Sequence, residues 1–151
     1  MGFDGVISSL IIFIAVVSIT VVVVTSFKAI ADESLSSIET RSNQYNYKLK
    51  TEIEITSIKY NSSKNQLYVF VHNIGKTKLK TDYIDIYIDG LFISRDLRKV
   101  NVIPSTDLEN PGLFDPNEVI NITVNKTLSS GEHKVKVVTQ YGEYDEDIFS
   151  V

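Results

Sequence analysis

Hydrophobic and polar positions follow three successive patterns along the chain. The first is continuous. From Gly5 to Phe27 no residue is charged, and the centre of the run reads LIIFIAVVSITVVVVTSF. As an α-helix these 23 residues rise about 34 Å, enough to cross a hydrocarbon core of about 30 Å. A helix buried in a soluble core would keep a polar stripe. Here Ser8, Ser9, Ser18, Thr20 and Thr25 interrupt the run, and their hydroxyls can bond back to helix carbonyls. The β-branched run Val21 to Val24 is a weak helix former in water. In lipid every backbone group must be bonded internally, so the helix wins. A cleaved secretory signal needs a basic n-region and a shorter apolar core. Only Asp4 is charged ahead of this run, which is too long for a signal. Residues 1–28 are therefore expected to be a retained transmembrane helix. Asp4 on one flank and Lys28, Asp32 and Glu33 on the other leave the positive-inside rule little to count.

The second pattern is a loose helical spacing of Ala29, Ile30, Leu35 and Ile38 in a polar segment without Pro or Gly. It predicts a helical stalk over 29–48, ended by Asn43, Asn46 and the neighbouring tyrosines. A flexible linker is the alternative. Tyr45, Tyr47 and Tyr60 are expected near this junction, either as a contact surface or as packing at the base of the next domain.

The third pattern, over 49–151, has period two, the mark of strands with one buried face. Ile53 and Ile55 alternate with Glu52 and Glu54, and the alternation reaches Ile58 and Tyr60. Asn61 to Asn65 is turn chemistry. Leu67, Val69 and Val71 alternate with Tyr68, Phe70 and His72, so both faces are apolar and the strand is central. Asn73-Ile74-Gly75 breaks it. Ile84, Ile86 and Ile88 share one face, and Asp89-Gly90 predicts a tight hairpin into Leu91-Phe92-Ile93. The stretch 101–117 reads as irregular and holds all three prolines, Pro104, Pro111 and Pro116. Strands resume over 118–124, 133–139 and 144–151, separated by Ser129-Ser130-Gly131 and Tyr141-Gly142. Seven or eight short strands in about 100 residues predict an all-β, immunoglobulin-like sandwich. The chain has no Cys and no Trp, so the core rests on Ile, Val, Leu, Phe and Tyr.

Composition narrows the function. Without Cys there is no disulfide framework, thiolate metal site or cysteine nucleophile. Fifteen basic against nineteen acidic residues argue against nucleic acid as a partner. The two histidines, His72 and His133, have no second His at ligand spacing. Asp82, Asp85 and Asp89 do not form the curled loop of oxygens that calcium needs. The run Glu143, Asp145, Glu146, Asp147 is read as protection of an edge strand. No catalytic residue, cofactor or metal site is expected, and the chain is not read as an enzyme. Three sequons begin at Asn61, Asn121 and Asn125 and mark candidate N-glycosylation sites on an outward-facing domain.

Leu10-Ile11-Ile12-Phe13-Ile14-Ala15, behind a small-residue entry, resembles the N-terminal helix of archaellins, the filament proteins of the archaeal motility organelle. Archaellins carry a short basic leader ahead of that helix. The opening Met1-Gly2 lacks one, which implies a chain that is not released for polymerisation. The sandwich resembles the archaellum accessory proteins FlaF and FlaG. The likeness runs through Val71-His72-Asn73-Ile74-Gly75, Tyr87-Ile88-Asp89-Gly90, Asp115-Pro116-Asn117-Glu118 and Val135-Lys136-Val137-Val138-Thr139. The long stalk followed by Leu49-Lys50-Thr51-Glu52-Ile53 favours FlaF over FlaG. The resemblance implies a stator: a sandwich between the archaeal cell membrane and the surface layer, bound to the surface-layer protein and to a FlaG-like sister protein. It also implies a homodimer of the sandwich. The alternative is a pilin-like or archaellin-like filament subunit. Partner contact is expected on strand 83–93, through Tyr83, Asp85, Tyr87, Asp89, Leu91 and Ile93. It is also expected on 101–117, through Leu108, Leu113 and Phe114.

Overall fold

The computed structural model describes residues 3–151, with side chains from Gly5 onward. The Met1-Gly2 start and the Asp4 carboxylate, on which the leader and flank readings rest, lie outside the described residues. Helix α1 runs Phe3–Lys50 as one element, so the segment 29–48 is helical and the helix closes at Lys50. Lys48 and Lys50 in its last turn complement the helix dipole. By contacts the chain divides into two compact units, Met1–Asn43 and Gln44–Val151.

In the first unit the side chains of the apolar run are exposed. Val6, Leu10, Phe13 and Val22 are 57–69% exposed, and none of the most apolar window is buried. By length and composition this helix can cross a membrane. The polar interruptions are neutralised as expected. Ser9, Ser18, Thr20 and Thr25 donate to the carbonyls of Gly5, Ile14, Val16 and Val21 at 2.7–2.9 Å.

The second unit is the sandwich. Its strands are β1 (Ile53–Asn61), β2 (Gln66–Asn73), β3 (Asp85–Ile88), β4 (Leu91–Phe92), β5 (Arg98–Val102), β6 (Val119–Asn125), β7 (Glu132–Val138) and β8 (Tyr144–Ser150). They form two antiparallel four-stranded sheets, ordered β1-β2-β6-β5 and β4-β3-β7-β8. The inward-facing residues meet between the sheets: Leu67, Val69, Val71, Ile84, Ile86, Ile88, Ile120, Ile122, Val124, Val135 and Val137 are fully buried. The double-sided apolarity of β2 fits its place between β1 and β6. The Asp89-Gly90 hairpin forms as predicted, with φ of +53° and +78° at the two turn residues. Strand β5 differs from the expectation, since 101–102 belong to it and the irregular stretch begins only at Ile103. Its alternation, Arg98-Lys99-Val100-Asn101-Val102, is hidden by an arginine at a core position.

Three local devices close the sandwich. Asn73 is fully buried at the end of β2. Its amide donates to the carbonyls of Thr77 and Phe114 at 2.9 and 3.1 Å and accepts from the Gly75 N–H at 3.2 Å. Gly75 lies so close to the chain at 50–52 that a Cβ there would sit 2.5 Å from the Glu52 nitrogen. Asp145 reaches from β8 across to β1, where its Oδ2 accepts the Ile55 N–H at 2.7 Å beside the β1 bulge. Asp145 Oδ1 and Asp147 Oδ1 also accept the N–H groups of Glu146 and Ile148 on the outer edge of β8. The acidic run thus covers the edge donors that would otherwise template another strand.

Tyr47 stacks on Tyr141 at 5.1 Å, and Thr51 Oγ1 donates to the Tyr47 carbonyl at 2.7 Å. Tyr45 is 64% exposed. Tyr60 is not at this junction. It sits near the far end of β1, where its hydroxyl accepts the Leu128 N–H at 3.1 Å and donates to Asn65 at 3.3 Å. Strand geometry explains this, since nine residues advance the chain by about 30 Å.

Candidate partner-docking surfaces

The loop 103–118 is irregular but tied down by its own carboxylates. Glu118 accepts the Leu108 N–H at 3.2 Å and the Asp115 N–H at 2.8 Å. Asp107 accepts the Gly112 N–H at 3.1 Å, and Asn110 donates to Asp115 at 2.7 Å. Thr106 donates to the Ile103 carbonyl at 2.9 Å and accepts the Val119 N–H at 3.1 Å. This frame holds Leu108 outward, 82% exposed. Leu113 is half-buried. Phe114 is not available to a partner. It is fully buried, and its backbone bridges to Leu79. An aromatic so close to Asp115-Pro116 looks like part of a loop in the sequence, but the Leu79 bridge carries it into the core.

The outer face of the β4-β3-β7-β8 sheet is the second surface. Tyr87 and Phe92 pair across β3 and β4 with ring centroids 5.5 Å apart. Lys136 lies over the Tyr144 ring at 3.5 Å, and Lys134 pairs with Glu146. Tyr87, Lys134, Lys136, Tyr144 and Glu146, together with Val138, Gly90 and Gly142, line a shallow depression of about 570 Å³. Phe92, Tyr144 and Ile148 are more than half exposed on the same face. Ile93, assigned to this surface from the sequence, is 4% exposed and belongs to the core. The hairpin ends at Phe92, and the Ile93 N–H turns back to the Ile86 carbonyl at 3.0 Å. Leu91, also named from the sequence, is exposed but pairs with the inward Ile88. Of this face the sequence reading named Tyr87 but missed Phe92, Tyr144, Ile148 and the two lysines. Their outward phase on β4, β7 and β8 was legible only once the strand order was known.

The two remaining aspartates have local partners. Asp89 accepts the Lys134 N–H at 2.9 Å and meets His133 Nδ1 at 2.7 Å. His133 Nε2 meets the Ser129 carbonyl at 2.9 Å. With an acceptor at each ring nitrogen, the imidazolium is favoured. The Ser129 carbonyl, then Asp89, holds His133 above its usual value. The Lys134 N–H, then His133, holds Asp89 below the usual carboxylate value. This pair pins the β3–β4 hairpin to β7. Asp85 is half-buried and accepts from Arg98 Nη2 at 2.8 Å, with Arg95 at 3.6 Å. Tyr83, 49% exposed, lies on a 3-10 turn between Lys80 and Arg95. Among the described residues no group of three or more His, Asp or Glu could hold a metal.

Of the sequons, Asn125 is exposed at the end of β6 and accepts from Gln66 at 3.0 Å. Asn61 is half-buried in the β1–β2 turn, where its Oδ1 accepts the Lys64 N–H at 3.1 Å. Asn121 is half-buried in mid β6, paired with Phe70 of β2 and Asn101 of β5.

Comparison with known proteins places this fold. The sandwich is similar to the archaellum periplasmic stator protein FlaG from Sulfolobus acidocaldarius, at 20% identity and a TM-score of 0.51 over 66% of this chain and 99% of that one. It is also similar to the FlaF and FlaG stator complex of that organism, at 19% identity and a TM-score of 0.50 over 66% of this chain and 89% of that one. Helix and sandwich together are similar to the archaeal flagellum of Methanospirillum hungatei, at 11% identity and a TM-score of 0.64 over 96% of this chain and 92% of that one. At these identities the likeness is one of fold. The model of the archaeal-type flagellin family matches residues 2–147, nearly the whole sequence, and the chain belongs to that family.

Proposed function

We propose that the chain is a non-enzymatic, stator-type accessory of the archaellum, anchored in the cell membrane by its apolar helix. Its sandwich lies between membrane and surface layer, where it grips the surface-layer protein and a sister accessory protein. A rotating filament needs a stationary frame, and a helix fixed in lipid together with a domain fixed to a lattice gives two points of resistance. The observation that carries this reading is Leu108, 82% exposed on a loop cross-tied by Asp107, Asp115 and Glu118. A large apolar side chain held out in water gains by burial in a partner's pocket. The FlaF and FlaG complex supports a sister partner. The outer face around Tyr87, Phe92 and Tyr144 suits a two-fold contact between copies. Asn125 is the sequon best exposed for a glycan.

The test is binding of the full chain, in detergent micelles, to isolated surface-layer envelope. Saturable binding that weakens about tenfold or more in Leu108→Asp, with unchanged thermal unfolding, is expected. Absence of saturable binding, or binding indifferent to Leu108→Asp, overturns the reading.

One observation favours a second reading, a filament subunit. The likeness to the Methanospirillum hungatei flagellum extends through the helix as well as the sandwich. The two readings part on where the chain resides: in filaments, or in the membrane beside them.

A further inference from the structure

Past the apolar run, helix α1 continues through a polar segment whose apolar side chains follow a second rule. Ala31, Leu35, Ile38, Ser42, Tyr45 and Leu49 are spaced alternately four and three residues apart, a 3.5-residue repeat. At about 100° per residue these positions stay within about 40° of one line down the helix. Lys28, at the next position back, closes the stripe toward the apolar run. Of the large apolar side chains over 29–50, only Ile30 and Tyr47 lie off it.

The stripe is open to water in each unit. In the first, Leu35 and Ile38 are each 64% exposed. In the second, Tyr45 is 64% and Leu49 68% exposed. Tyr47 lies on the opposite side of the helix and stacks on Tyr141 of the sandwich, so the stripe faces away from that contact. Helices stand in water mainly by packing an apolar face. The stretch Ser34-Leu35-Ser36-Ser37-Ile38-Glu39-Thr40-Arg41-Ser42-Asn43 is rich in Ser, Thr and Asn, which are indifferent helix formers. Its helix therefore gains from burying Leu35 and Ile38.

Charge says against what. Asp32 and Glu39 flank the stripe on one side, Arg41 and Lys48 on the other. With the stripe as positions a and d of a heptad, the acids take e and the bases take g. Parallel copies set e of one beside g of the next, so the acidic flank meets the basic one. Antiparallel copies would set acid against acid and base against base. An unrelated helix of one charge sign would suit only one flank, whereas a second copy suits both. The apolar run, inserted in one membrane from the same end of each copy, imposes the same parallel direction.

We propose that residues 31–49 form a coiled-coil seam between parallel copies of this chain. The seam makes the stalk stiffer than a single helix, which suits a domain held away from a membrane. The inference rests on the reading of the apolar run as a membrane anchor, and not on which protein the sandwich grips.

The test uses the absence of Cys, which makes any introduced Cys unique. Full-length Leu35→Cys, Ile38→Cys and Ser42→Cys, with Glu33→Cys and Thr40→Cys on the opposite face, are each reconstituted at high dilution in diphytanoyl-phosphatidylcholine liposomes. They are oxidised with copper–phenanthroline, and disulfide-linked dimer is followed on non-reducing gels. Linkage at 35, 38 and 42 is expected to be at least about tenfold faster than at 33 and 40. Ile38→Asp added to Ser42→Cys should slow linkage about tenfold, with thermal unfolding of the sandwich unchanged. Equal rates around the helix, fastest linkage at 33 or 40, or indifference to Ile38→Asp overturns the proposal. Liposome flotation separates the two failures. Chains that float but link without this periodicity refute only the seam, and chains that do not float refute the anchor and the seam with it.

Discussion

In the N-terminal helix Ile12, Val22 and Val23 stand 60–64% exposed, whereas in the sandwich Ile86, Val69 and Val137 are fully buried. The residue types are the same, and only their order differs. Uninterrupted, they make an exposed apolar surface that suits lipid or another helix. Alternated with polar residues, they make strands that bury one another and need no external solvent. The contrast teaches that one part of this protein is completed from outside and the other from within. The two parts should therefore respond independently to mutation.

The largest effect is expected where the core is densest. Ile86→Ala on β3 should cost the sandwich about 2–5 kcal/mol, read in thermal or denaturant unfolding, with membrane retention unchanged. Val16→Arg is the mirror experiment. At about 2.5–3.5 kcal/mol against insertion it should release the chain from membranes in fractionation while leaving sandwich unfolding unaltered. If either substitution changes the other unit's property, the independence of the two units is wrong. Asn73→Ala removes the amide that serves Thr77, Phe114 and Gly75, at an expected cost of about 1–3 kcal/mol in the unfolding free energy. Asp145→Ala frees two N–H groups at the β1–β8 seam. It should cost about 1 kcal/mol and lower the onset of aggregation in light scattering.

The smallest effect concerns pH. The folded His133 value lies above the unfolded one, near 6.5. Its contribution is complete below about pH 6.5 and is lost as pH rises through the folded value. The folded Asp89 value lies below 3.8, so its contribution is complete above that and is lost as pH falls through the folded value. Melting temperature should therefore decline modestly on passing from pH 6 into the alkaline range. His133→Gln should flatten that decline, and a slope preserved in that variant would remove the pair from the account.

The sequence made the fold plain where one rule acted alone. Period-two alternation located β1, β2, β3, β6 and β7, and positive φ at Asp89 and Gly90 was legible in the dipeptide itself. It misled where a tertiary contact overrode the local pattern. Phe114 looked like loop and is core because Leu79 pairs with it. Ile93 looked like a hairpin face and is core because the hairpin is only two residues deep on that side. Arg98 hid β5, since an arginine at an inward position reads as a break. That same misreading concealed the enclosed guanidinium, whose Nε and Nη1 are buried without an acceptor. Leu108 was legible as an apolar residue among prolines. The carboxylate ties that hold it outward span up to ten residues and need the folded loop.

Fractionation tests the central claim most directly. Archaella are sheared from intact cells, and this chain is quantified against the archaellin subunit in the sheared filaments and in the washed membranes. A stationary accessory should remain with the membranes, at a trace level in the filaments. Recovery in the filaments at a level comparable to the archaellin would contradict the account and make the chain a subunit of the filament itself.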